Sequence, residues 1–203
     1  MRSAKTLACE EAPPCRRQAA EGAPAPTPSP ARVDYESAFA AFLASRGVPY
    51  VAANDHRAAT FRDAAVKSFD FLVYPPSGPV WLVDVKGRRF PSAGSGGTLR
   101  YWENWVTRGD LEGLACWEEA FGPGYEARLV FAYLLAGLSG RWPAAVRFTH
   151  AGHCFAFLSV RLDAYRRHCR RRSPRWQTFT VAAEAFRAIA RPVEELLGRD
   201  PTA

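Results

Sequence analysis

The segment from Ser68 to Arg88, SFDFLVYPPSGPVWLVDVKGR, constrains the fold of this chain more than any other stretch. Two runs rich in Val, Leu, Phe, Trp and Tyr flank the turn sequence PPSGP, and this pattern predicts a β-hairpin. If the turn is symmetric about Ser77, residues equally distant from Ser77 lie opposite each other. Asp70 then faces Asp84 across the hairpin, with Cβ atoms about 4.5 to 5.5 Å apart.

Alternation along the two strands assigns the side chains to opposite faces of the sheet. We expect one face to carry Asp70, Leu72, Leu82, Asp84 and Lys86. We expect the other face to be wholly apolar and covered by helices, with Phe69, Phe71, Val73, Trp81, Val83 and Val85. Opposed carboxylates repel each other, and a buried unpaired carboxylate costs several kcal/mol, so the aspartates need a cation between them.

Two convergent carboxylates beside a lysine suit phosphodiester hydrolysis. Carboxylates select hard cations such as Mg²⁺ or Mn²⁺, and Lys86 can position or deprotonate the attacking water. In the alternative, structural interpretation, Asp84 and Lys86 form a salt bridge at a strand end and Asp70 caps a turn. Because Asp70 falls in register with Asp84, we favour the metal site.

The charge of the chain indicates a nucleic-acid partner. The net charge is +7, and the segment from Arg161 to Arg175 holds seven arginines against the single acid Asp163. Arginine binds phosphate oxygens in bidentate fashion, so DNA is the expected partner, with RNA left open. A solvated basic face is the alternative. The candidate DNA contacts are Arg88, Arg89, Arg100, Arg166, Arg167, Arg170, Arg171 and Arg172.

Composition bounds the architecture and the location. A chain of 203 residues that is 48% hydrophobic is long enough for one domain with a sizeable core. Residues 1–31 are rich in Ala and Pro and are expected to form a disordered tail, followed by a single domain over residues 32–198. Five irregularly spaced cysteines, with no long apolar run and no signal-peptide pattern, predict a reducing cytoplasm and no membrane contact.

The rest of the chain predicts helices and strands in alternation. We expect a helix from Asp34 to Arg46, a strand from Val48 to Ala53, a polar connection or short helix from Asn54 to Lys67, a helix capped by Thr107 or Asp110 that ends near Gly122, and a buried parallel strand from Ala127 to Leu135. Further on we expect a strand from Cys154 to Val160, a basic helix from Arg161 to Arg171, an extended stretch from Trp176 to Thr180 and an amphipathic helix from Val181 to Leu197.

Two side features have two interpretations each, and a third, a zinc site, is disfavoured. Glu36, in the first helical turn, either complements the helix dipole or adds a third carboxylate at the metal. Tyr101, Trp102 and Trp105 belong either to a core or to a surface that stacks on unpaired bases. A zinc set would need His150, His153, Cys154, His168 and Cys169, whose spacing does not match a tetrahedral site.

Taken together, these residues resemble the PD-(D/E)XK nuclease superfamily, which includes restriction endonucleases, Holliday-junction resolvases and repair nucleases. The resemblance consists of Glu36 on a first helix, Asp70 in a strand and Asp84-Val85-Lys86 on the next strand, followed by a helix and a buried strand. The segment YESAF, with SFDFLVY and LVDVKGR, is similar to an uncharacterised bacterial family named for the motif HYExAFE. Asp34 and Ala40 replace the His and the final Glu of that motif.

The resemblance covers Val33 to Leu197 and implies an α/β fold. This fold has a restriction-endonuclease-like core, a central mixed β-sheet flanked by helices in the order αβββαβ, with extra C-terminal helices. Asp70 and Asp84 would bind Mg²⁺ or Mn²⁺, Lys86 would position the water, and Glu36 would assist at the metal or through a water.

The function so implied is a metal-dependent endonuclease that acts on DNA. A non-catalytic nucleic-acid-binding protein on the same fold is the alternative, and an interaction domain whose charges serve only solubility is a third. The sequence leaves open whether one copy or a homodimer acts.

Overall fold

The computed structural model describes residues 33–53, 59–61, 64–90, 102–135 and 147–198. The described residues from Val33 onward belong to one compact unit. The predicted tail over residues 1–31, the predicted DNA contact Arg100 and Tyr101 lie outside the described residues.

The described ranges contain five helices and twelve strands. The helices are α1 (Tyr35–Ser45), α2 (Arg108–Phe121), α3 (Leu162–His168), α4 (Ala183–Ile189) and α5 (Val193–Leu197). The first strands are β1 (Tyr50–Ala52), β2 (Ala59–Phe61), β3 (Ala64–Val66), β4 (Phe71–Val73), β5 (Val80–Phe90) and β6 (Val106–Thr107). The later strands are β7 (Tyr125–Leu135), β8 (Phe148–His150), β9 (His153–Arg161), β10 (Cys169–Ser173), β11 (Thr178–Val181) and β12 (Arg191–Pro192). No helix in these ranges is long and apolar enough to span a lipid bilayer.

A mixed sheet lies at the centre of the fold. Its strand order is β1-β4-β5-β7-β9-β12, and β8 also pairs with β9. The strands β5 and β7 run parallel, and the other pairs in this sheet are antiparallel. The elements α1, β1, β4, β5, α2 and β7 follow the predicted order αβββαβ, with the β2 and β3 hairpin inserted before β4. The predicted fold class is therefore confirmed.

The register of the central hairpin is the predicted one. Phe71 lies opposite Val83, and Val73 lies opposite Trp81. β4 is shorter than the predicted strand, but the Asp70 amide still donates to the Val83 carbonyl at 2.8 Å. The pairing therefore continues one residue beyond β4 and brings Asp70 to the level of Asp84.

Helices cover both faces of the sheet. On the first face, α1 and α5 pack on a cluster of apolar residues that includes Phe71, Val73, Trp81, Val83 and Val85. On the second face, α2, α3 and α4 pack on a cluster that includes Leu82, Leu129 and Phe131. Leu72 packs against this second cluster as predicted.

Phe69 lies on the other face from the predicted one. It packs in the second cluster, edge-on to Trp117 and Phe121 at centroid distances of 5.5 and 5.9 Å. The chain bends at Asp70. Strand alternation therefore holds from Phe71 onward but not across the bend.

Local capping explains where α1 and α2 begin. The Asp34 carboxylate accepts a hydrogen bond from the Ser37 amide at 2.9 Å at the start of α1. At the start of α2, Thr107 and Asp110 form a reciprocal capping box: the Asp110 amide donates to Thr107 Oγ1 at 3.2 Å, and the Thr107 amide donates to Asp110 Oδ2 at 2.7 Å. These caps confirm the predicted helix starts.

The predicted basic helix from Arg161 to Arg171 is too long. α3 ends at His168, and residues from Cys169 onward form β10, which pairs with β11 in a small sheet that also contains β6. Backbone pairing with β11 outweighs the helical propensity of the arginines.

The predicted helix from Val181 to Leu197 is also wrong. It is divided into α4 and α5 by β12, which pairs with β9. Pro192 lies in β12, and proline has no amide hydrogen for a helix interior.

Between Asn54 and Lys67, where a polar connection or short helix was expected, the chain forms β2 and β3.

Candidate active site

Asp84 and Lys86 project from β5 toward α2, on the second face of the sheet. Asp84 is only 2% exposed, and the Lys86 side chain is 12% exposed. Lys86 Nζ lies 2.5 Å from Asp84 Oδ2. β5 pairs with β7 from Val80 to Phe90, whereas its pairing with β4 ends at Val83. The salt bridge of the structural interpretation is therefore present, but it lies in the middle of β5 rather than at its end.

Helix α2 brings a third charged residue to the pair. Asp110 is 5% exposed, and its Oδ1 atom lies 3.1 Å from Lys86 Nζ. Its Oδ2 atom accepts the Thr107 amide in the capping box. One carboxylate therefore caps the helix and contacts the lysine of the predicted motif.

Lys67, which directly follows β3, completes the arrangement. Its Nζ lies 3.4 Å from Asp84 Oδ1 and also contacts Asp110 Oδ1. Each aspartate thus contacts two ammonium groups, and each lysine contacts two carboxylates. We call Lys67, Asp84, Lys86 and Asp110 the charge cluster. Its formal charges cancel.

Burial and the neighbouring charges shift the pKa values in the charge cluster. Burial raises the pKa of Asp84, and the ammonium groups of Lys86 and Lys67 offset part of that rise. Burial acts in the same direction on Asp110, but the charge of Lys86 and the hydrogen bond from Lys67 outweigh it and lower the pKa of Asp110 to about 2. Burial would lower the pKa of Lys67, yet the attraction of Asp84 and Asp110 raises it above its ordinary value.

Asp70 lies beside the backbone of β5. Its Oδ2 atom accepts a hydrogen bond from the Val85 amide at 2.5 Å, one residue after Asp84. The Asp70 carbonyl accepts the Ala53 amide at 2.8 Å. Asp70 is 7% exposed, so its carboxylate is buried directly before β4 begins, beside β5. The Asp70 carboxylate thus serves as the acceptor for the Val85 amide in place of a backbone carbonyl. This is a local structural role, similar in kind to the turn cap of the structural interpretation.

The donor set fits a hard cation in one respect. Asp84 Oδ2 is buried, and within the described ranges its contact is the Lys86 ammonium group at 2.5 Å. A bound Mg²⁺ or Mn²⁺ would share this oxygen with Lys86. No group of three or more His, Cys, Asp and Glu residues in the described ranges is arranged to hold a metal ion. A metal held by Asp70 and Asp84 would therefore have these two carboxylates as its only protein ligands in the described ranges. It would take its remaining ligands from water or substrate.

Glu36 approaches from the opposite side of the sheet. It is exposed on α1, and α1 packs on the first face, whereas the charge cluster lies on the second. The Tyr35 ring lies against Gly87, directly after Lys86 in the chain. The neighbour of Glu36 thus contacts β5 next to Lys86, but the charge cluster is covered by α2, whereas a metal-ligand role of Glu36 would need α1 on that face.

The predicted DNA contacts divide into two groups. Arg88 is half-buried, its guanidinium donates to the carbonyls of Gly87 and Trp105, and it lies over the Trp105 ring. Burial lowers its pKa. Because these contacts hold Arg88 inside the protein, we do not include it in a DNA interface. The remaining described candidates are exposed, namely Arg89, Arg166, Arg167, Arg170, Arg171 and Arg172.

Sequence reasoning missed Lys67 and Asp110 as members of the site. The capping-box spacing from Thr107 to Asp110 gives Asp110 a complete local explanation, which hides its second role. Lys67 stands in a polar stretch without distinguishing spacing. The signal that could have found Asp110 was the connection from β5 through α2 to the parallel strand β7. Such a crossover packs its helix on the strands that it joins.

No family model matches the chain, so the resemblance to the HYExAFE family stays a prediction. No curated protein matches it. Among solved structures, the chain is similar to Hjc, a Holliday junction resolvase from the archaeal hyperthermophile Archaeoglobus fulgidus, with 13% identity, a TM-score of 0.46, and coverage of 81% of this chain and 98% of that chain. A likeness of this size carries no conclusion about activity.

Proposed function

We propose that this chain is a metal-dependent nuclease that hydrolyses phosphodiester bonds of DNA. The observation that supports the proposal best is the placement of Asp84 and Lys86 on a buried central strand, with Asp70 at the same level of the neighbouring chain. Burying this many charges is costly unless they have a use or compensate one another. Perturbed carboxylates and lysines that converge in one place are typical of catalytic sites.

In this proposal Asp70 and Asp84 hold Mg²⁺ or Mn²⁺. When bound, the ion supplies Lewis-acid polarisation of a phosphate and activation of water. Lys86 orients the attacking water, because its ammonium group is fixed by Asp84 and Asp110 and keeps its third donor free of them. Glu36 acts through a water at most, since α1 packs on the opposite face.

Asp110 positions the catalytic lysine, and Lys67 contacts the two aspartates beside it. Asp110 fixes Lys86 from α2, and the capping box fixes Asp110 in turn. Lys67 is the more exposed of the two lysines, at 48% against 12%. It is therefore the cation that could leave Asp84 when a metal arrives.

Cleavage of supercoiled and branched DNA with Mg²⁺ or Mn²⁺ tests the proposal. Wild type should cut, and Asp84→Asn should lose activity by at least about a hundredfold, because one metal ligand and the partner of Lys86 change together. Glu112→Gln is the control, since Glu112 lies on the exposed side of α2 and pairs with Arg108. Cutting by Asp84→Asn at the wild-type rate, or no cutting by wild type, would reject the nuclease.

A non-catalytic DNA-binding protein is the second candidate. It is favoured by the charge cluster itself, whose two carboxylates are already neutralised by two lysines without a metal. In that case DNA binding should persist in a chelator, with a salt slope near −0.9 per neutralised phosphate, and no metal-dependent cleavage should occur.

A further inference from the structure

A groove lies beside the small sheet, outside the charge cluster. It has a volume of about 640 Å³ and is lined by Trp105, Thr107, Arg172, Ser173, Trp176 and Thr178. We call these six residues the Trp groove. Its volume lies within the range of about 300 to 1,000 Å³ that is usual for small-ligand sites. The lining combines two indole rings, one guanidinium and three hydroxyl groups.

One wall of the groove is rigid. The Trp105 ring contacts two guanidinium groups, with Arg88 at 4.1 Å and Arg172 at 5.4 Å from its centroid. The neighbouring Asn104 is buried and ties this segment to β11, because its Oδ1 accepts from the Val181 amide at 2.9 Å and its Nδ2 donates to the Val181 carbonyl at 3.0 Å. Trp105 is therefore held in one position before any ligand binds.

The other wall presents Trp176 to solvent. This side chain is 68% exposed, the most exposed large hydrophobic residue in the described ranges. The turn that carries it is well fixed: the Trp176 amide donates to Ser173 Oγ at 3.3 Å, and the Arg108 amide donates to the Gln177 carbonyl at 2.8 Å. Gln177 has a φ of 46°, in the left-handed region. An anchored turn with a residue in this sparsely populated region thus holds the Trp176 indole away from any core, at the edge of the groove.

The charge around the groove favours an anionic occupant. Arg172 lines the groove itself, and Arg175 lies over the Trp176 ring at 5.1 Å. Arg170 and Arg171 precede them on the same hairpin and are exposed. One acid offsets part of this positive charge: Glu103 Oε1 lies 4.0 Å from Arg172 Nη2. Indole rings next to arginines are the components with which proteins bind unpaired nucleotides, by stacking on bases and contacting phosphates.

The groove is connected to the charge cluster through a single residue. Thr107 lines the groove and caps α2, where it exchanges two hydrogen bonds with Asp110. Asp110 in turn contacts Lys86. A strand bound in the groove would therefore lie next to the site that we assign to phosphodiester hydrolysis.

We infer that the Trp groove binds unpaired nucleotides of a DNA strand, with a base stacked on Trp176 and a phosphate at Arg172. This inference deepens the proposed function and rests on it for the identity of the nucleic acid. It assigns the preferred substrate to DNA with unpaired segments, such as branched, frayed or single-stranded DNA, rather than to continuous duplex.

Fluorescence anisotropy in a chelator tests the groove independently of cleavage. The probes are a labelled single-stranded 12-nucleotide DNA of mixed sequence and the blunt duplex of the same sequence. Trp176→Ala should weaken binding of the single strand by about tenfold, which is the usual effect of removing one stacking partner, and should change duplex affinity by less than about twofold. Arg172→Gln should reduce the salt slope for the single strand by about 0.7.

Tyr74→Ala is the matched control, because Tyr74 is another exposed aromatic residue, at 39%, and lies in the turn after β4. It should leave both affinities unchanged. Thermal unfolding checks that each variant is folded. Equal single-strand affinity of Trp176→Ala and wild type, or an equal loss for single strand and duplex, would overturn the inference.

The two proposals can fail separately. Metal-dependent cleavage by wild type together with an unaltered single-strand affinity of Trp176→Ala would reject the groove and keep the nuclease. A selective loss of single-strand binding in Trp176→Ala, without cleavage by wild type, would support the groove and reject catalysis.

Discussion

Lys86 Nζ lies 3.1 Å from Asp110 Oδ1, although the two residues belong to β5 and α2. The same Asp110 carboxylate accepts the Thr107 amide that begins α2. The start of the crossover helix and the catalytic lysine of the proposed site are therefore held by one side chain. Disturbing Asp110 should affect stability and activity together.

The first prediction concerns the pH dependence of stability. The pKa of Asp110 is lowered from 3.8 to about 2, so its ionised form favours the folded state. This stabilisation, about 2 kcal/mol, should be complete above pH of about 4 and should disappear as the pH falls toward about 2. Chemical denaturation of wild type and Asp110→Asn across this range measures it: the two free energies of unfolding should converge at acid pH.

Glu112→Gln is the control for that experiment. Glu112 lies two residues later on α2, and its ion pair with Arg108 is exposed on both sides. An exposed pair contributes little, so Glu112→Gln should stay within about 0.5 kcal/mol of wild type at every pH. A difference between wild type and Asp110→Asn that did not vary with pH would contradict the assigned role of the carboxylate.

The second prediction concerns the contact that fixes α1 on β5. A Cβ atom on Gly87 would lie 2.3 Å from Tyr35 Cδ2, which is far closer than atoms can approach. Gly87→Ala should therefore destabilise the protein by about 1 to 3 kcal/mol in chemical denaturation. Adding Tyr35→Ala should recover part of this loss, because the ring that clashes is removed.

Gly109→Ala provides the contrast. The nearest atom to a Cβ at Gly109 is Thr107 Oγ1 at 3.9 Å, an ordinary contact, and the residue lies within α2. Alanine should be neutral or stabilising there by up to about 1 kcal/mol. A Gly87→Ala variant as stable as wild type would show that α1 packs on β5 in another way.

The sequence was sufficient where structure is decided locally. The turn around Ser77 set the register of the hairpin, and the apolar run from Ala127 to Leu135 predicted the strand parallel to β5. Capping chemistry placed the first residues of α1 and α2. These features depend on neighbours in the chain, and a single sequence contains them.

Contacts between distant segments could not be derived in this way. The ion pairs of Lys67 depend on how the end of β3 meets α2, and no local pattern reports that meeting. The arginines after Cys169 look helical in isolation but form β10 because β11 offers them a partner. Alternation placed Phe69 on the wrong face because the bend at Asp70 was not visible in the pattern.

The third prediction separates Lys86 from metal binding. Lys86→Ala should lose turnover with DNA by about a hundredfold or more, because Lys67, which contacts the same two aspartates, follows β3 and is about half exposed, whereas Lys86 is held on β5 beside Asp84. Its affinity for Mn²⁺ should be retained or increase, since Asp70 and Asp84 remain and an ammonium group that contacts Asp84 is removed. Single-turnover cleavage and calorimetric titration measure the two effects, and equal losses in both would make Lys86 a structural residue.

The fourth prediction concerns competition between a metal and Lys67 for Asp84. Lys67 Nζ lies 3.4 Å from Asp84 Oδ1, and its side chain is about half exposed. A divalent ion that binds Asp84 must reduce this contact, so removing the competing charge in Lys67→Ala should tighten Mn²⁺ binding several-fold in calorimetry. The double variant Asp70→Asn/Asp84→Asn should lose the titration, and Glu112→Gln should match wild type. Equal heats of Mn²⁺ binding in wild type and the double variant would mean that Asp70 and Asp84 have a structural role only. The burial of Asp84 would then be explained by its ion pairs with the two lysines.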